Sequence, residues 1–205
     1  MYSKAQIFNL ALSHLLLSEQ VSDTETNKVS NNVKVLNLHW ETALNTVLQE
    51  LDLDSLSEPI PLELMAELKE GPWNYVYKYP SRCVYIRRIV SGVRLDNSDT
   101  FIAKRTGLYQ GKKAIFTNEY KAILECITND IPLEALTPSA GMALSLYLAS
   151  LSSPLITGKG AARLRESLFQ QYLIHLDKAR GIDQLENFNY DCPAERSEFV
   201  RVRMS

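Results

Sequence analysis

The residues of this sequence that could carry out chemistry are few, and they stand apart from one another. The three histidines, His14, His39 and His175, each lie alone on a predicted helix, and none has a second ligand at the spacing of a metal-binding pair. An isolated histidine of this kind is usually structural. The TGKG at 157–160 lacks the first glycine and the final serine or threonine of a phosphate-binding loop. We therefore predict no metal and no cofactor.

Acids and cysteines are the remaining candidates for chemistry. Asp52 and Asp54 could serve acid–base hydrolysis, because a glycosidase needs two carboxyl groups placed across the scissile bond. Solvated acids beside a turn are the simpler interpretation. Cys83, Cys126 and Cys192 are widely spaced without a C-x-x-C pair, which predicts reduced thiols rather than a disulfide framework or a zinc site. With no nucleophile elbow or glycine-rich loop either, the sequence predicts a protein that is not an enzyme.

Charge is distributed unevenly along the middle of the chain. Positions 50–70 hold seven acids against one lysine, and positions 82–113 hold eight basic residues against two aspartates. Blocks of opposite sign can bind DNA phosphates or pair between neighbouring subunits. Basic residues that protect exposed strand edges are the alternative interpretation. The candidates for an inter-subunit or DNA-facing basic patch are Arg82, Arg87, Arg88, Lys104, Arg105, Lys112 and Lys113.

The composition is that of an ordinary packed protein. Of 205 residues, 45% are hydrophobic and 22% are charged, and the formal net charge of −2 argues against a dedicated nucleic-acid binder. The most apolar run, at 139–156, contains several serines and falls short of the roughly 20 uninterrupted apolar residues that span a bilayer. We expect no membrane partner and a reducing, cytoplasmic site of synthesis.

The chain ends in a polar segment with scattered aromatic and basic residues. Such a segment cannot fold alone, but it can become ordered against a partner. Disorder is the alternative. The candidate contacts to another protein or to a neighbouring subunit are Phe188, Tyr190, Phe199, Arg201 and Arg203.

Hydrophobic periodicity and end signals predict helices on both sides of a strand-rich region. Ser3 and Gln6 form a capping box for the first helix, and Thr137 with Pro138 opens a later one. The predicted helices are 4–17, 28–51, a short one carrying Leu62, Met65 and Leu68, one from 138 to about 152 ended by Pro154, and one from about 160 to Gly181. Three to five antiparallel strands are predicted between 83 and 127.

This order of elements predicts an α+β chain: mainly a helical bundle with a small antiparallel β insertion and an extended C-terminal tail. The bundle is assigned to 1–70 and 132–182, the β-rich insertion to 71–131 and the tail to 183–205. The segment GPWNYVYKYPSRC at 71–83 is predicted to be the hinge between bundle and strands, with alternate rings of Trp73, Tyr75, Tyr77 and Tyr79 buried against each.

The layout resembles a known family. Its pieces are a long helix with a central Trp40, a W-x-Y-x-Y-x-x-P element from Trp73 to Pro80, the strand CVYIRRIV, a later AIFTNEYKAIL block, and paired C-terminal helices with a short tail. Together they resemble the head-to-tail connector adaptors, or tail tubular protein A-like proteins, of short-tailed DNA phages. The acidic stretch between Leu51 and Trp73 departs from the usual pattern of that family.

The resemblance implies a structural virion protein at the head-to-tail junction, made in the host cytoplasm. Such a subunit would join a ring of about twelve copies, bind the portal protein above and tail nozzle or tail fibre proteins below, and contact the phage DNA that passes through the channel. A virion-associated cell-wall hydrolase and a small DNA-binding protein are the alternatives left open by the residues themselves.

Overall fold

Four helices and seven strands lie within the residues that the computed structural model describes, which are 2–22, 30–92, 102–158 and 160–186. The helices are α1 (Lys4–His14), α2 (Asn31–Leu51), α3 (Pro138–Thr157) and α4 (Ala161–Glu186). The strands are β1 (Ser57–Pro61), β2 (Leu64–Glu67), β3 (Tyr75–Lys78), β4 (Cys83–Ser91), β5 (Lys104–Tyr109), β6 (Lys112–Thr117) and β7 (Ala122–Thr128).

The helix starts follow the predicted capping signals. Ser3 Oγ accepts from the Gln6 amide at 3.2 Å, and Gln6 Oε1 accepts from the Ser3 amide at 2.8 Å, which confirms the capping box of α1. Thr137 Oγ1 accepts from the Ala140 amide at 3.3 Å, with Pro138 in the first turn of α3. These caps satisfy amides that have no partner inside the helix.

Three predicted helix ends are wrong. Helix α1 ends at His14 and not at 17, because Leu16 has a left-handed backbone with a φ of 61°. Helix α3 continues through Pro154. Proline has no N–H to donate to the Ser150 carbonyl, four residues earlier, and the Ser153 hydroxyl donates to that oxygen instead, at 3.0 Å. Helix α4 continues through Gly181 to Glu186. Its last turns are held by tertiary contacts that local sequence does not reveal, including the buried Asp183.

The strands form two antiparallel sheets. Sheet A has the order β1-β7-β4, and sheet B has the order β2-β3-β6-β5. Strands β5 and β6 form a hairpin through Gln110 and Gly111, whose φ angles of 51° and 76° suit a two-residue turn.

The molecule has three layers, with sheet A in the middle. One core joins the four helices to Ile127 of β7, with Val84 and Tyr85 of β4 packed against it. The second core lies between the sheets and contains Tyr77 and Ile115 of sheet B together with Leu124 of sheet A. Helix α3 packs against each of the other three helices, which explains its apolar composition.

The prediction of a mainly helical bundle with a small β insertion is therefore wrong: the fold is a mixed one, with four helices and two antiparallel sheets. The predicted short helix is replaced by β1 and β2. Ile60 and Leu62 alternate toward the second core with the period of a strand, and β1 and β2 pair with β7 and β3. Leu62, Met65 and Leu68 have helical spacing, but pairing with distant strands overrides it.

The segment at 71–83 is not a hinge at the edge of the bundle. Its centre is β3, an inner strand of sheet B between β2 and β6. The buried ring is Tyr77, whose hydroxyl donates to Glu119 O at 2.9 Å, whereas Trp73 is half-buried. Tyr75, Tyr77 and Tyr79 thus contribute to the second core, and the prediction of a hinge whose rings are buried alternately against bundle and strands is wrong.

Candidate interaction surfaces

Three of the seven residues of the predicted basic patch form ion pairs within the chain. Arg82 lies 2.9 Å from Asp130 and 3.7 Å from Glu58, and Arg87 contacts both Asp52 and Asp54. Arg88 pairs with Glu125 at 2.5 Å.

Three of the acids in these pairs come from the stretch at 50–70. The opposite charge blocks therefore meet inside one chain, where they attach the segment after α2 to the start of sheet A. Each exposed pair contributes about 0–1 kcal/mol, so the pairs set position more than stability. Asp52 and Asp54, which were considered as acids for hydrolysis, both form ion pairs with Arg87.

The other four basic candidates lie on the β5–β6 hairpin. Lys104 Nζ donates to Arg87 O at 2.8 Å, and Lys113 Nζ lies 3.6 Å from the centre of the Tyr79 ring. Within the part of the chain that the structure describes, Arg105, Lys112 and Lys113 form no ion pair. Among the described residues, the hairpin thus presents positive charge without an acidic partner on the sheet that lies farthest from the helices.

A groove of about 260 Å³ lies beside this charge, and we call it the hairpin groove. Gly107 leaves room for the Phe116 ring, since a Cβ at that position would lie 3.2 Å from Phe116 Cε2. Tryptophan and arginine are the residue types that most often dominate binding energy at protein interfaces. The groove is lined by Leu68, Glu70, Pro72, Trp73, Arg105, Gly107, Leu108 and Phe116.

A second depression, of about 330 Å³, lies where sheet A meets the loop before α3. Glu58, Arg82 and Asp130 line it, and Thr128 donates to Glu58 at 2.9 Å. The Thr128 hydroxyl beside it and the guanidinium of Arg82, which donates to Asp130 at 2.9 Å, lower the pKa of Asp130. A carboxyl group held ionised in this way is unsuited to act as a general acid at neutral pH.

The helical layer exposes an apolar stripe on α4, formed by Ile174, Ile182 and Leu185. These side chains are 55%, 37% and 80% exposed, and their spacing places them on one face of the helix. Among the described helices, α3 alone is long and apolar enough to cross a membrane, and most of it is buried by the other helices.

The histidines occupy the helical layer and do not form a metal site. His14 Nε2 lies 3.2 Å from Ser145 Oγ on α3. Burial lowers the pKa of His14, and the nearby His175 lowers it further; burial, followed by the charge of Lys178, lowers the pKa of His175. No group of three or more potential metal ligands occurs in the described ranges.

The tail candidates Phe188, Tyr190, Phe199, Arg201 and Arg203 lie outside the residues that the structure describes. Their predicted contacts with a partner remain predictions.

The residues that join the layers escaped sequence reasoning. Asp183 of α4, 4% exposed, accepts hydrogen bonds from the amides of Asp54 and Ser55 at 2.8 and 3.2 Å, and from Ser55 Oγ at 2.6 Å. Tyr172 of α4 donates to Glu50 at 2.6 Å. Asp183 is a single acid on the buried side of α4. Because buried acids require hydrogen-bond partners, its position could have indicated a contact with another segment.

Comparisons with known proteins add no assignment to this geometry. No protein-family model and no curated protein gives a significant match to the sequence.

Proposed function

We propose that this chain is a structural subunit of a phage head-to-tail adaptor ring, without enzymatic activity, which joins a portal protein to tail proteins and surrounds the DNA channel. Each copy would contact its neighbours through heterologous surfaces that close the ring. The subunit would be made in the host cytoplasm and end in the virion.

The resemblance in the sequence supports this proposal, and its pieces fall on separate structural elements. Trp40 lies on α2 and packs edge to face against Phe8 of α1, with ring centres 5.5 Å apart. The W-x-Y-x-Y-x-x-P element contains β3, CVYIRRIV forms most of β4, and the paired C-terminal helices are α3 and α4.

The observation that carries the proposal is the placement of two unlike surfaces on opposite outer layers. The helical layer exposes the apolar stripe of α4, and sheet B exposes the basic and aromatic hairpin groove. A connector needs two different faces because it binds two different partners. Arg82, Arg87 and Arg88 are paired with acids, so within the described part of the chain the positive charge without acidic partners lies on the hairpin.

Mixing the purified chain with portal protein tests the proposal. Native mass spectrometry and electron microscopy should show a ring of copies attached to the portal. Ile174→Asp with Leu185→Asp should prevent this attachment, because charge would enter the apolar stripe, whereas Gln184→Asp, on an exposed face of α4 outside the stripe, should not. A chain that ignores the portal and never enters virions would refute the adaptor role.

The same preparation tests the tail side. Arg105→Glu with Lys112→Glu should leave the portal complex intact and abolish binding of the tail protein. Lys34→Glu, an exposed cation on α2, is the matched control. Equal loss of tail binding in the control would show that net charge, and not the hairpin groove, is recognised.

One observation favours a second candidate, a small DNA-binding protein: Arg105, Lys112 and Lys113 lack acidic partners among the described residues. That function predicts duplex DNA binding at micromolar concentration or below, with an affinity that falls steeply as salt rises. Tight, salt-dependent binding by the isolated chain, together with no response to the portal, would favour this candidate over the adaptor.

A further inference from the structure

Sheet B ends in a strand whose outer edge is open. Strand β5 pairs with β6 on one side, and in the described part of the chain no strand lies on its other side. Its central side chains, Thr106 and Leu108, are exposed, Leu108 by 75%. The edge of a sheet carries backbone groups onto which a further extended segment can pair.

The pairing of β5 with β6 fixes which backbone groups face outward. In an antiparallel pair, hydrogen-bonded and non-hydrogen-bonded residue pairs alternate, and a two-residue turn is closed by a hydrogen-bonded pair. The next pair, Leu108 with Lys113, is therefore not hydrogen-bonded, and the Lys113 carbonyl accepts instead from the Tyr79 amide on the β3 side, at 3.3 Å. The N–H and C=O groups of Thr106 and Leu108 thus point away from β6. Among the described residues, no hydrogen bond from outside the hairpin reaches them.

The other three edge strands of the two sheets carry features that hinder pairing with a further strand. Strand β1 contains Pro59 and Pro61, β2 is four residues long with an irregular register, and β4 has two register shifts. Proline, short length and bulges are means by which proteins protect sheet edges. Strand β5 has a continuous register and no proline, and its charged residues occupy its first two positions only. It is therefore the edge best suited to accept a strand.

The side chains beside this edge define the shape of a segment that fits. Arg105, Gly107 and Tyr109 alternate on the outer face of sheet B, where the Phe116 ring packs against Gly107 and lies 6.4 Å from the Tyr109 ring. Gly107 thus leaves a gap between two large side chains, and this gap belongs to the hairpin groove. A residue placed opposite Gly107 would form a non-hydrogen-bonded pair with it, with Cα atoms about 4.5 Å apart. A large apolar side chain at that position would fill the gap.

Positive charge lies on both sides of the gap. Arg105 lies two residues before Gly107, and Lys112 is paired with Tyr109, two residues after it. Both cations are exposed, and neither forms an ion pair with a described residue, including Glu70 across the groove. In an added strand, the residues two positions before and after the apolar one would lie beside these cations. Carboxylates at those two positions would complement the charge.

We propose that β5 accepts an extended acidic segment of a partner protein as a fifth strand of sheet B, with a large apolar side chain opposite Gly107 and a carboxylate two residues to either side. The added strand exchanges backbone hydrogen bonds with Thr106 and Leu108, and its apolar side chain occupies the hairpin groove. This inference deepens the proposed function, on which it rests for the identity of the partner: the segment belongs to the tail protein.

The experiment uses the full chain and a blocked synthetic peptide, Thr-Glu-Val-Phe-Val-Glu-Thr, whose side-chain order is the same in both directions. Bound peptide should slow hydrogen exchange of the Thr106 and Leu108 amides about tenfold, and leave exchange in the opposite edge strand, β2, unchanged. A peptide N-methylated on both valines keeps every side chain but loses the N–H groups that face β5, so it should bind about tenfold more weakly. Equal binding of the two peptides, or no binding of either, would overturn the proposal.

Variants of β5 test the backbone and the charge separately. Thr106→Pro removes an outward N–H that β6 does not use, so the variant should fold, as circular dichroism would show, and fail to bind the peptide. Arg105→Glu should weaken binding about fivefold, and it should prefer a peptide with lysine in place of both glutamates. Lys34→Glu, on α2, is the matched control and should bind like the parent. Equal binding of the glutamate and lysine peptides by the parent would refute the acidic character of the segment.

The remaining outcomes separate this inference from the adaptor role. Protection of the Thr106 and Leu108 amides that grows with protein concentration, without peptide, would assign the edge to a second copy of the chain and overturn the proposal. A chain that joins the portal but does not bind the peptide would refute this inference alone. A chain that binds the peptide but ignores the portal and never enters virions would refute the adaptor role alone.

Discussion

Residue Tyr2 packs on α3, and we predict that one substitution in α3 lowers the free energy of unfolding when Tyr2 is present and raises it when Tyr2 is absent. The Tyr2 ring lies directly against Gly141 in the first turns of α3, and its hydroxyl donates to Pro138 O at 3.1 Å. A Cβ built on Gly141 would lie 2.6 Å from Cζ of Tyr2 and nearer still to two other ring carbons. Gly141→Ala therefore displaces the Tyr2 ring.

The magnitude follows from what Tyr2 loses and what the helix gains. A half-buried ring contributes about 1 kcal/mol by burial, and its hydrogen bond contributes about 1 kcal/mol. Alanine in place of glycine inside a helix returns about 1 kcal/mol. Gly141→Ala should thus lower the free energy of unfolding by about 1 kcal/mol in the parent protein, but raise it by about 1 kcal/mol when Tyr2 is already alanine.

Urea unfolding followed by circular dichroism measures all four proteins of this double-mutant cycle. The expected coupling free energy is about 2 kcal/mol. If Gly141→Ala destabilises both backgrounds equally, another neighbour fills the space beside Gly141. If it stabilises the parent protein, Tyr2 does not pack there in solution.

Three further measurements address the layer contacts and the titrating groups. Asp183→Ala should lower the free energy of unfolding by about 3 kcal/mol, because buried amides lose a charged acceptor, while Asp177→Ala on the exposed side of α4 should change it by less than about 0.5 kcal/mol; equal effects would contradict the role of Asp183. Acidification from pH 7 to pH 5 should lower the urea midpoint, because the pKa values of His14 and His175 are lowered in the folded protein. The unfolded chain therefore takes up protons first, below about pH 6.5. His14→Gln should reduce the dependence of the midpoint on pH, and an unchanged dependence would refute the assignment. Tyr77→Phe should cost about 1–2 kcal/mol through loss of the hydrogen bond to Glu119 O, and a neutral result would show that this bond is not formed.

Local signals in the sequence predicted the helices better than their ends. The capping box at Ser3 and the Thr137 cap lie next to the helices that they begin, so short-range hydrogen bonds suffice to identify them. Local preference alone predicts helix ends at Pro154 and Gly181. A serine hydroxyl and contacts across layers override that preference at these two positions.

The strands were harder to predict, because pairing is a property of two distant segments. Strand β1 contains Pro59 and Pro61 and tolerates them at the edge of sheet A, where it pairs with β7 only. Nothing near Ser57 in the sequence indicates that partner. The same holds for the charged segments. The acidic and basic blocks are visible in the sequence, but their pairing within one chain is not.

The sequence by itself determined the caps of α1 and α3 and the separation of acidic from basic segments. These features depend on neighbours within a few residues along the chain. Only the tertiary structure decided which charges pair within the described part of the chain, and which aromatic ring is buried. Those outcomes depend on distances between segments far apart in sequence, which are fixed when the two sheets pack on each other and on the helices.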